Sequence, residues 1–284
     1  MKLSIIQSGF FKLDGGAMFG VVPKTLWSKQ NPPDDKNLCT WSMRCLLIET
    51  EDRKILIDTG LGNKQDEKFM SHFEPHGAYS LAQSLLDKGV TLEEITDVFL
   101  THLHFDHVGG AVIKNSDGDL IPHFPNATYW TNQKHYDWAF NPNYREKASF
   151  LKENFVPLHD HGVLKYIPEE PSFEWVKGIN IHFSYGHTEA MMIPHITLAN
   201  GNVLVYCADQ LPSSFHVRMP YIMSYDIRPL IVLEEKKELY KKALNENYYL
   251  FFEHDPVTAV GQLTQNDRGK FGIDTAIDWP SITK

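Results

Sequence analysis

The 284-residue chain is poor in cysteine, in basic charge and in long apolar runs. Its three cysteines, Cys39, Cys45 and Cys207, form no C-x-x-C pair, which excludes a disulfide framework and a structural zinc knuckle and leaves them as small buried apolar residues. Lysine and arginine number 27 against 36 aspartates and glutamates, a formal charge of -9, and no long basic run appears. Nucleic acid, whose binding draws on clustered basic residues, is therefore not an expected partner. No apolar stretch reaches the roughly 18 residues a membrane span needs, and "MKLSIIQSGF" carries too short an apolar run for a signal-peptide core. The expectation is a cytoplasmic protein without membrane contact.

What is present suits a folded chain with an ordinary core, at 42% hydrophobic residues. "CLLIETEDRKILIDTG" (45–60) is two apolar runs around a polar turn, hence a β-hairpin ending at Asp58. "AYSLAQSLLDKG" has a helical apolar stripe stopped by Gly89, and "TLEE" is a capping box leading into the strand "DVFLTH". "ATYWT" reads as extended, "NQKHYDWAF" and "YREKASFLKENF" as helical, and "INIHFSYGHT" as a strand entering a loop. "ITLANGNVLVYCADQ" reads as a hairpin in which Asn200 and Gly201 supply the positive φ angles, followed by a helix at "RPLIVLEEKKELYKKAL" and a strand at "YYLFFEHD". With no repeat and no linker, one domain over 1–284 is the economical expectation, with an aromatic helical insertion near 132–161.

Polar residues recur where strands end. His102, His104, Asp106 and His107 follow "DVFLT"; His187 follows "INIHFSYG"; Asp209 follows "NVLVYCA"; His254 follows "YYLFFE". If those strands run the same way, the residues gather at one sheet edge, where α/β sites form. His102 and His104, two apart on extended chain, face the same way and with a further histidine suit a cation such as zinc with one position open to water. Asp106 and His107 then turn away toward a second cation, and Asp209 is the natural shared carboxylate. A solvated polar turn is the ordinary alternative for "HLHFDH", and the density of ligand-type residues argues against it. "GHT", "EHD" and Asp209 are each unremarkable alone, and their joint recurrence at strand ends raises them.

"THLHFDH" resembles the H-x-H-x-D-H signature of the metallo-β-lactamase superfamily, with "GHT" (186–188), "AD" (208–209) and "EHD" (253–255) in that family's order. "LDGGAMFGVVPKTLW" (13–27) and "RCLLIETEDRKILIDTGLGN" (44–63) resemble the YtnP-type quorum-quenching N-acyl homoserine lactonase branch. The resemblance implies an α/β fold, the four-layer αββα sandwich, with two divalent metal ions per chain. It assigns His102, His104 and His187 to one ion, Asp106, His107 and His254 to the other, and Asp209 to both, with Asp58 supporting from behind. Zinc is the first choice of metal, and iron, manganese and cobalt suit the same ligands. The branch commonly forms dimers, so a homodimer is expected.

Two departures from the family pattern stand out. The family commonly continues G-H-[ST]-x-G-H, whereas Ala190 and Met191 occupy the Gly and His positions here. The tyrosine that well-known lactonases place three residues after the bridging aspartate is Pro212, which leaves Tyr185, Tyr221 or Tyr225 to assist a substrate carbonyl.

The expected chemistry is hydrolysis of a small-molecule ester or lactone by a metal-bridging hydroxide, with Asp106 or Asp209 accepting the proton. An N-acyl homoserine lactone is the leading substrate. A phosphotriester or aryl ester is the alternative at the same site, and a ligand sensor with little activity the alternative of another class. Met18, Phe19 and Val21, beside the flexible Gly15-Gly16, are candidate pocket residues, with core packing the ordinary reading of the first two; His216, close behind Asp209, is a further candidate contact.

Overall fold

Short apolar runs bounded by turn residues account for most of the strands in this computed structural model, which describes residues 1–275, 277 and 279. The chain clusters into two compact units, one of Met1–Gly9 with Met43–Glu170 and one of Phe10–Ser42 with residues from Pro171 onward. Two strands, Lys2–Asp14 and Leu38–Glu49, pass from one unit into the other along the chain.

The first unit is built on a six-stranded sheet in the order Lys2–Asp14, Leu38–Glu49, Lys54–Ile57, Asp97–Phe99, Thr128–Thr131, Leu164–Tyr166. The expected hairpin is present: Leu46–Glu49 pair antiparallel with Lys54–Ile57. From Lys54 onward the neighbours are parallel. Ile55, Leu56, Val98 and Phe99 are fully buried, as parallel strands covered on both faces require. The connecting helix Leu81–Leu86 is capped by Ser80, whose hydroxyl accepts from Gln83 N, and it presses Leu81 and Leu85 onto the core beside Leu56, Val98 and Leu100. The Thr91–Glu94 capping box then turns the chain into Asp97–Phe99.

The aromatic segment 132–161 contains the helix Gln133–Phe140, capped by Asn132, and the short helix Val156–Asp160. "YREKASFLKENF", expected to be helical, is instead a series of turns with one 3-10 turn at Lys152–Asn154. Asn143 accounts for its start, since its side-chain oxygen accepts from Arg145 N and Glu146 N and draws the backbone into a turn. Tyr136, Ala139, Phe150, Phe155 and Leu158 all enter the first unit's core cluster, so the segment is a built-in part of that core.

The second unit holds a seven-stranded sheet ordered Phe271–Asp274, Val260–Gln265, Tyr249–Phe251, Val203–Tyr206, Met191–Thr197, Ile179–Ser184, Phe173–Val176. Neighbours are antiparallel except Val203–Tyr206 with Tyr249–Phe251. It follows that Ile179–Ser184, Val203–Tyr206 and Tyr249–Phe251 point the same way. At the 198–202 hairpin Gly201 alone takes a positive φ, +85°, and Asn200 does not. The loop is longer than a two-residue turn: Gly201 N donates to Leu198 O and Leu198 N to Asn202 O, a turn plus one left-handed residue.

The helix Pro229–Glu246 buries Val232, Lys236, Leu239, Tyr240 and Ala243, one stripe at helical spacing, and stops at Asn247 in the left-handed conformation. Among the described residues, no helix is long and apolar enough to cross a membrane.

Candidate functional site

In the first unit the polar residues sit at the C-terminal ends of the parallel strands. Asp58 follows Lys54–Ile57, the 101–107 stretch follows Asp97–Phe99, and Asn132 and His135 follow Thr128–Thr131. Asp58 is fully buried in the left-handed region, φ +57°, which a short polar side chain tolerates better than most. Its carboxylate accepts from Thr101 N (2.8 Å) and Thr101 Oγ1 (2.7 Å) and meets His107 Nδ1 at 3.1 Å. Thr101 Oγ1 in turn lies 3.1 Å from His102 Nδ1.

The chain leaves extended geometry at His104, whose carbonyl accepts from His107 N and Val108 N, so Phe105–Val108 form one helical turn. That turn brings the imidazoles together: His102 lies 4.6 Å from His104 and 3.9 Å from His107 between ring centroids. Asp106 Oδ2 is 3.8 Å from His107 Nε2. The two glycines closing "HVGG" are needed for contact, because a Cβ on Gly110 would lie 2.3 Å from Thr59 O.

Sequence reasoning missed two supports in this unit. His135 Nε2 accepts from Leu103 N at 2.8 Å, and the buried Glu146 lies 3.6 Å from His104 Nε2 while accepting from Trp138 Nε1 and Asn143 Nδ2. Both are more than 30 positions from the turn they support, and no local pattern marks them.

In the second unit His187, Asp209 and His254 follow the three strands that point the same way. The Asp209 carboxylate lies between two imidazoles: Oδ2 is 3.1 Å from His187 Nε2 and Oδ1 is 3.1 Å from His254 Nε2. His187 Nδ1 meets Asp226 Oδ1 at 2.8 Å. His254 Nδ1 donates to Ser42 O at 2.8 Å, and His254 N donates to Pro212 O at 2.9 Å, so the proline found where a tyrosine was looked for anchors this histidine. Burial opposes a charge on His187, yet Asp209 and then Asp226 outweigh it and raise the imidazole to about 10. This cluster favours a positive charge on His187.

Of the candidate pocket residues, the structure brings together Met18, Phe19 and His216. Phe19 stacks on Trp27 and on His216, each 5.1 Å between centroids. His216 Nε2 meets Met18 O at 2.9 Å and Nδ1 meets Ser213 Oγ at 2.7 Å. Burial first of all pulls this imidazole down to about 3, so it is neutral with both nitrogens engaged inside the unit. Val21 stands apart, 91% exposed. Of the three tyrosines, Tyr221 is buried with its hydroxyl accepting from Gln30, and Tyr225 is exposed. His159, in the helix Val156–Asp160, and His161, just after it, are exposed.

Lys236 is another residue that sequence reasoning passed over. Its Nζ donates to the carbonyls of His216 (2.6 Å), Arg218 (3.1 Å) and Tyr221 (3.1 Å), tying that loop to the long helix. A lysine on the apolar stripe with Val232, Leu239 and Ala243 was a signal for it.

Comparison with known proteins places the chain in a family. The family model of the metallo-beta-lactamase superfamily matches residues 44–254. An N-acyl homoserine lactonase of Bacillus cereus is 26% identical over 268 residues, covering 89% of this chain and 93% of its own. Among solved structures, a probable metal-dependent hydrolase from Staphylococcus aureus superposes with a TM-score of 0.85 at 28% identity, covering 97% of each chain. AidC, a dizinc quorum-quenching lactonase in complex with a product, superposes with a TM-score of 0.78 at 22% identity over 97% of this chain and 94% of its own. With the family model spanning most of its length and the candidate ligands at its strand ends, the chain belongs to the metallo-β-lactamase superfamily and is a metal-dependent hydrolase.

Proposed function

We propose that this hydrolase opens the ring of an N-acyl homoserine lactone with the help of two divalent cations. The observation that carries the reading is Asp209 facing His187 with one carboxylate oxygen and His254 with the other, each at 3.1 Å. Two ligands of one tetrahedral cation with bonds of roughly 2.0–2.1 Å stand about 3.3 Å apart, so each pair has the spacing of ligands to a separate ion. A carboxylate shared in this way calls for two ions. The donor set fits as well: imidazoles and carboxylates, buried, with Nδ1 of His187 and His254 bound to oxygen so that Nε2 is the atom offered.

In this reading His102, His104 and His187 hold one ion, Asp106, His107 and His254 the other, and Asp209 both. Zinc suits these ligands first, then iron, manganese or cobalt. When bound, the ions supply Lewis acidity and a water whose pKa falls to roughly 7–9. Asp58 keeps the 101–107 turn in place, and Asp106 or Asp209 takes the proton after attack on the lactone carbonyl. Met18 and Phe19, buried where Phe19 stacks on Trp27 and His216, would support the substrate side from within the core, with His216 fixing their backbone through Met18 O. The lactonase relatives in Bacillus support the substrate class, and the homodimer belongs to the same proposal.

The test is ring opening by purified, metal-loaded protein across N-acyl homoserine lactones of increasing chain length, followed by acid release. Absence of turnover at every length overturns the substrate; turnover of an aryl ester or phosphotriester in their place reassigns it. Metal analysis giving fewer than about two ions per chain would sink the dinuclear reading, and sedimentation of the protein decides the dimer.

A further inference from the structure

The segment that carries His187 is gripped by residues between Asp226 and Glu235. Ile227 N donates to His187 O (3.2 Å) and Arg228 N to Gly186 O (2.9 Å). The Glu235 carboxylate accepts from Ser184 Oγ (2.7 Å) and Tyr185 N (2.6 Å). The approach is close enough that a Cβ on Gly186 would lie 2.4 Å from Val232 Cγ2. These contacts hold the main chain and the Ser184 hydroxyl, whereas Asp226 reaches the ring.

Asp226 is itself held. It is 2% exposed, Oδ1 accepts from His187 Nδ1 at 2.8 Å, and Oδ2 accepts from Met223 N at 2.9 Å, so the plane of the carboxylate is set by two bonds. His254 offers the contrast, because its Nδ1 is bound to the neutral carbonyl of Ser42. The two bonds are equally long, 2.8 Å, but the one to a carboxylate is charge-assisted and leaves the far nitrogen of the ring a stronger donor to a cation.

We propose that Asp226 is a positioning residue of the metal centre: through Nδ1 it sets the tautomer and rotation of His187 and strengthens Nε2 as a ligand. The cation that His187 helps to hold then depends on a carboxylate that does not touch it, and the cation held through His254 does not. The inference rests on the assignment of His187 as a ligand made above.

The test titrates the full chain, freed of metal, with zinc against a chromophoric chelator, for the unaltered protein, Asp226→Asn and Asp226→Ala. The expected result is that one ion binds roughly 10- to 100-fold more weakly in the variants while the other stays within about threefold. Proton–nitrogen NMR of the zinc-loaded protein should show a downfield, slowly exchanging Nδ1–H for His187 that moves upfield and exchanges faster in Asp226→Ala, a change that scaffolding alone would not produce. Should Asp226→Ala not fold, the near-isosteric Asp226→Asn carries the measurement. Unchanged affinity for both ions, or equal weakening of both, overturns the proposal. A single zinc ion on the unaltered protein would end the dinuclear reading, and Asp226 would be judged on that ion alone: weakening sustains it and constancy overturns it.

Discussion

The two units assemble their candidate ligands in opposite ways. The first delivers four of them within six positions, 102–107, on one strand end and one helical turn. The second draws three from three strands, at 187, 209 and 254, and orients them through Asp226, Ser42 and Pro212. A half-site made by a turn depends on local backbone bonds and one buried carboxylate. A half-site made by separate strands depends on side chains that arrive from far along the chain, and each of those is a place where it can be broken.

The sharpest way to set the halves against each other is through Asp209. Stripping the metals with a chelator should bring hydrolysis to background, and adding zinc should restore it. Asp209→Ala, which on the proposed assignment removes a ligand of both ions, should cost about a thousandfold or more in kcat/KM, since several kcal/mol of charge stabilisation are lost at about 1.4 kcal/mol per decade. His102→Ala should lower bound metal by about one ion, and Asp209→Ala by more. Equal metal content in the two variants would contradict the shared role of Asp209.

Next in size is the loss of each unit's buried brace. Asp58→Ala leaves Thr101 N and Thr101 Oγ1 without their acceptor and should lower unfolding free energy by about 3 kcal/mol. Lys236→Met deprives three carbonyls of a donor in the second unit. Because burial already pulls this amine down to about 7, removing it also removes a desolvated charge, and the net cost should be smaller, about 1–2 kcal/mol. Urea unfolding of the metal-free proteins ranks them, and the reverse order would show that the loop tie matters more than the turn.

What could be read from sequence divides along the same line. The hairpin at 45–60, the capping box at Thr91 and the run "THLHFDHVGG" announce themselves because their partners are neighbours in the chain. Asp226 gave no sign, because its partner His187 is 39 positions away and a lone aspartate between "SY" and "IRP" has no pattern to belong to. "YREKASFLKENF" misled for a related reason: its apolar residues are spaced for a helix, and Asn143 captures the backbone first. Asn200 was given a φ it does not need, because the loop is longer than the dipeptide suggests.

Acid should act on the second unit through a histidine pair outside the candidate ligands. His195 and His182 lie 3.9 Å apart between centroids, with Lys242 acting on both and Tyr248 against His195. Burial chiefly, then the neighbouring cations, holds both below the usual 6.5, His195 well below it. The unfolded chain therefore binds more protons than the folded one once the pH drops under about 6.5, and stability falls with pH there, by at most about 1.4 kcal/mol per pH unit for each ring. His187, raised to about 10, contributes stability below 6.5 that is lost only as the pH climbs through 10, so it adds no slope from pH 5 to 6.5; His216 and His123, also held low by burial, add slopes of the same sign, and the share of the pair is what a variant at His195 removes. Melting of the metal-free protein across that window should show the slope, and His195→Gln should make it shallower.

The smallest expected effect concerns how the chain turns beside each half-site. Both units use non-glycine residues in the left-handed region: Asp58 at φ +57° in the first, Ala208 at +43° and Ala190 at +50° in the second. Aspartate tolerates the conformation through its short polar side chain, and alanine carries no such group, at a strain of about 1–2 kcal/mol. Ala190→Gly should relieve that strain and lose the burial of one methyl group, about 0.8 kcal/mol, because Ala190 is fully buried. The balance is a gain of about 0.2–1.2 kcal/mol, read as a higher urea midpoint at unchanged slope. A loss of stability instead would mean that the methyl group at 190 packs where the family's glycine leaves room, and that the second unit has adapted its core around the substitution.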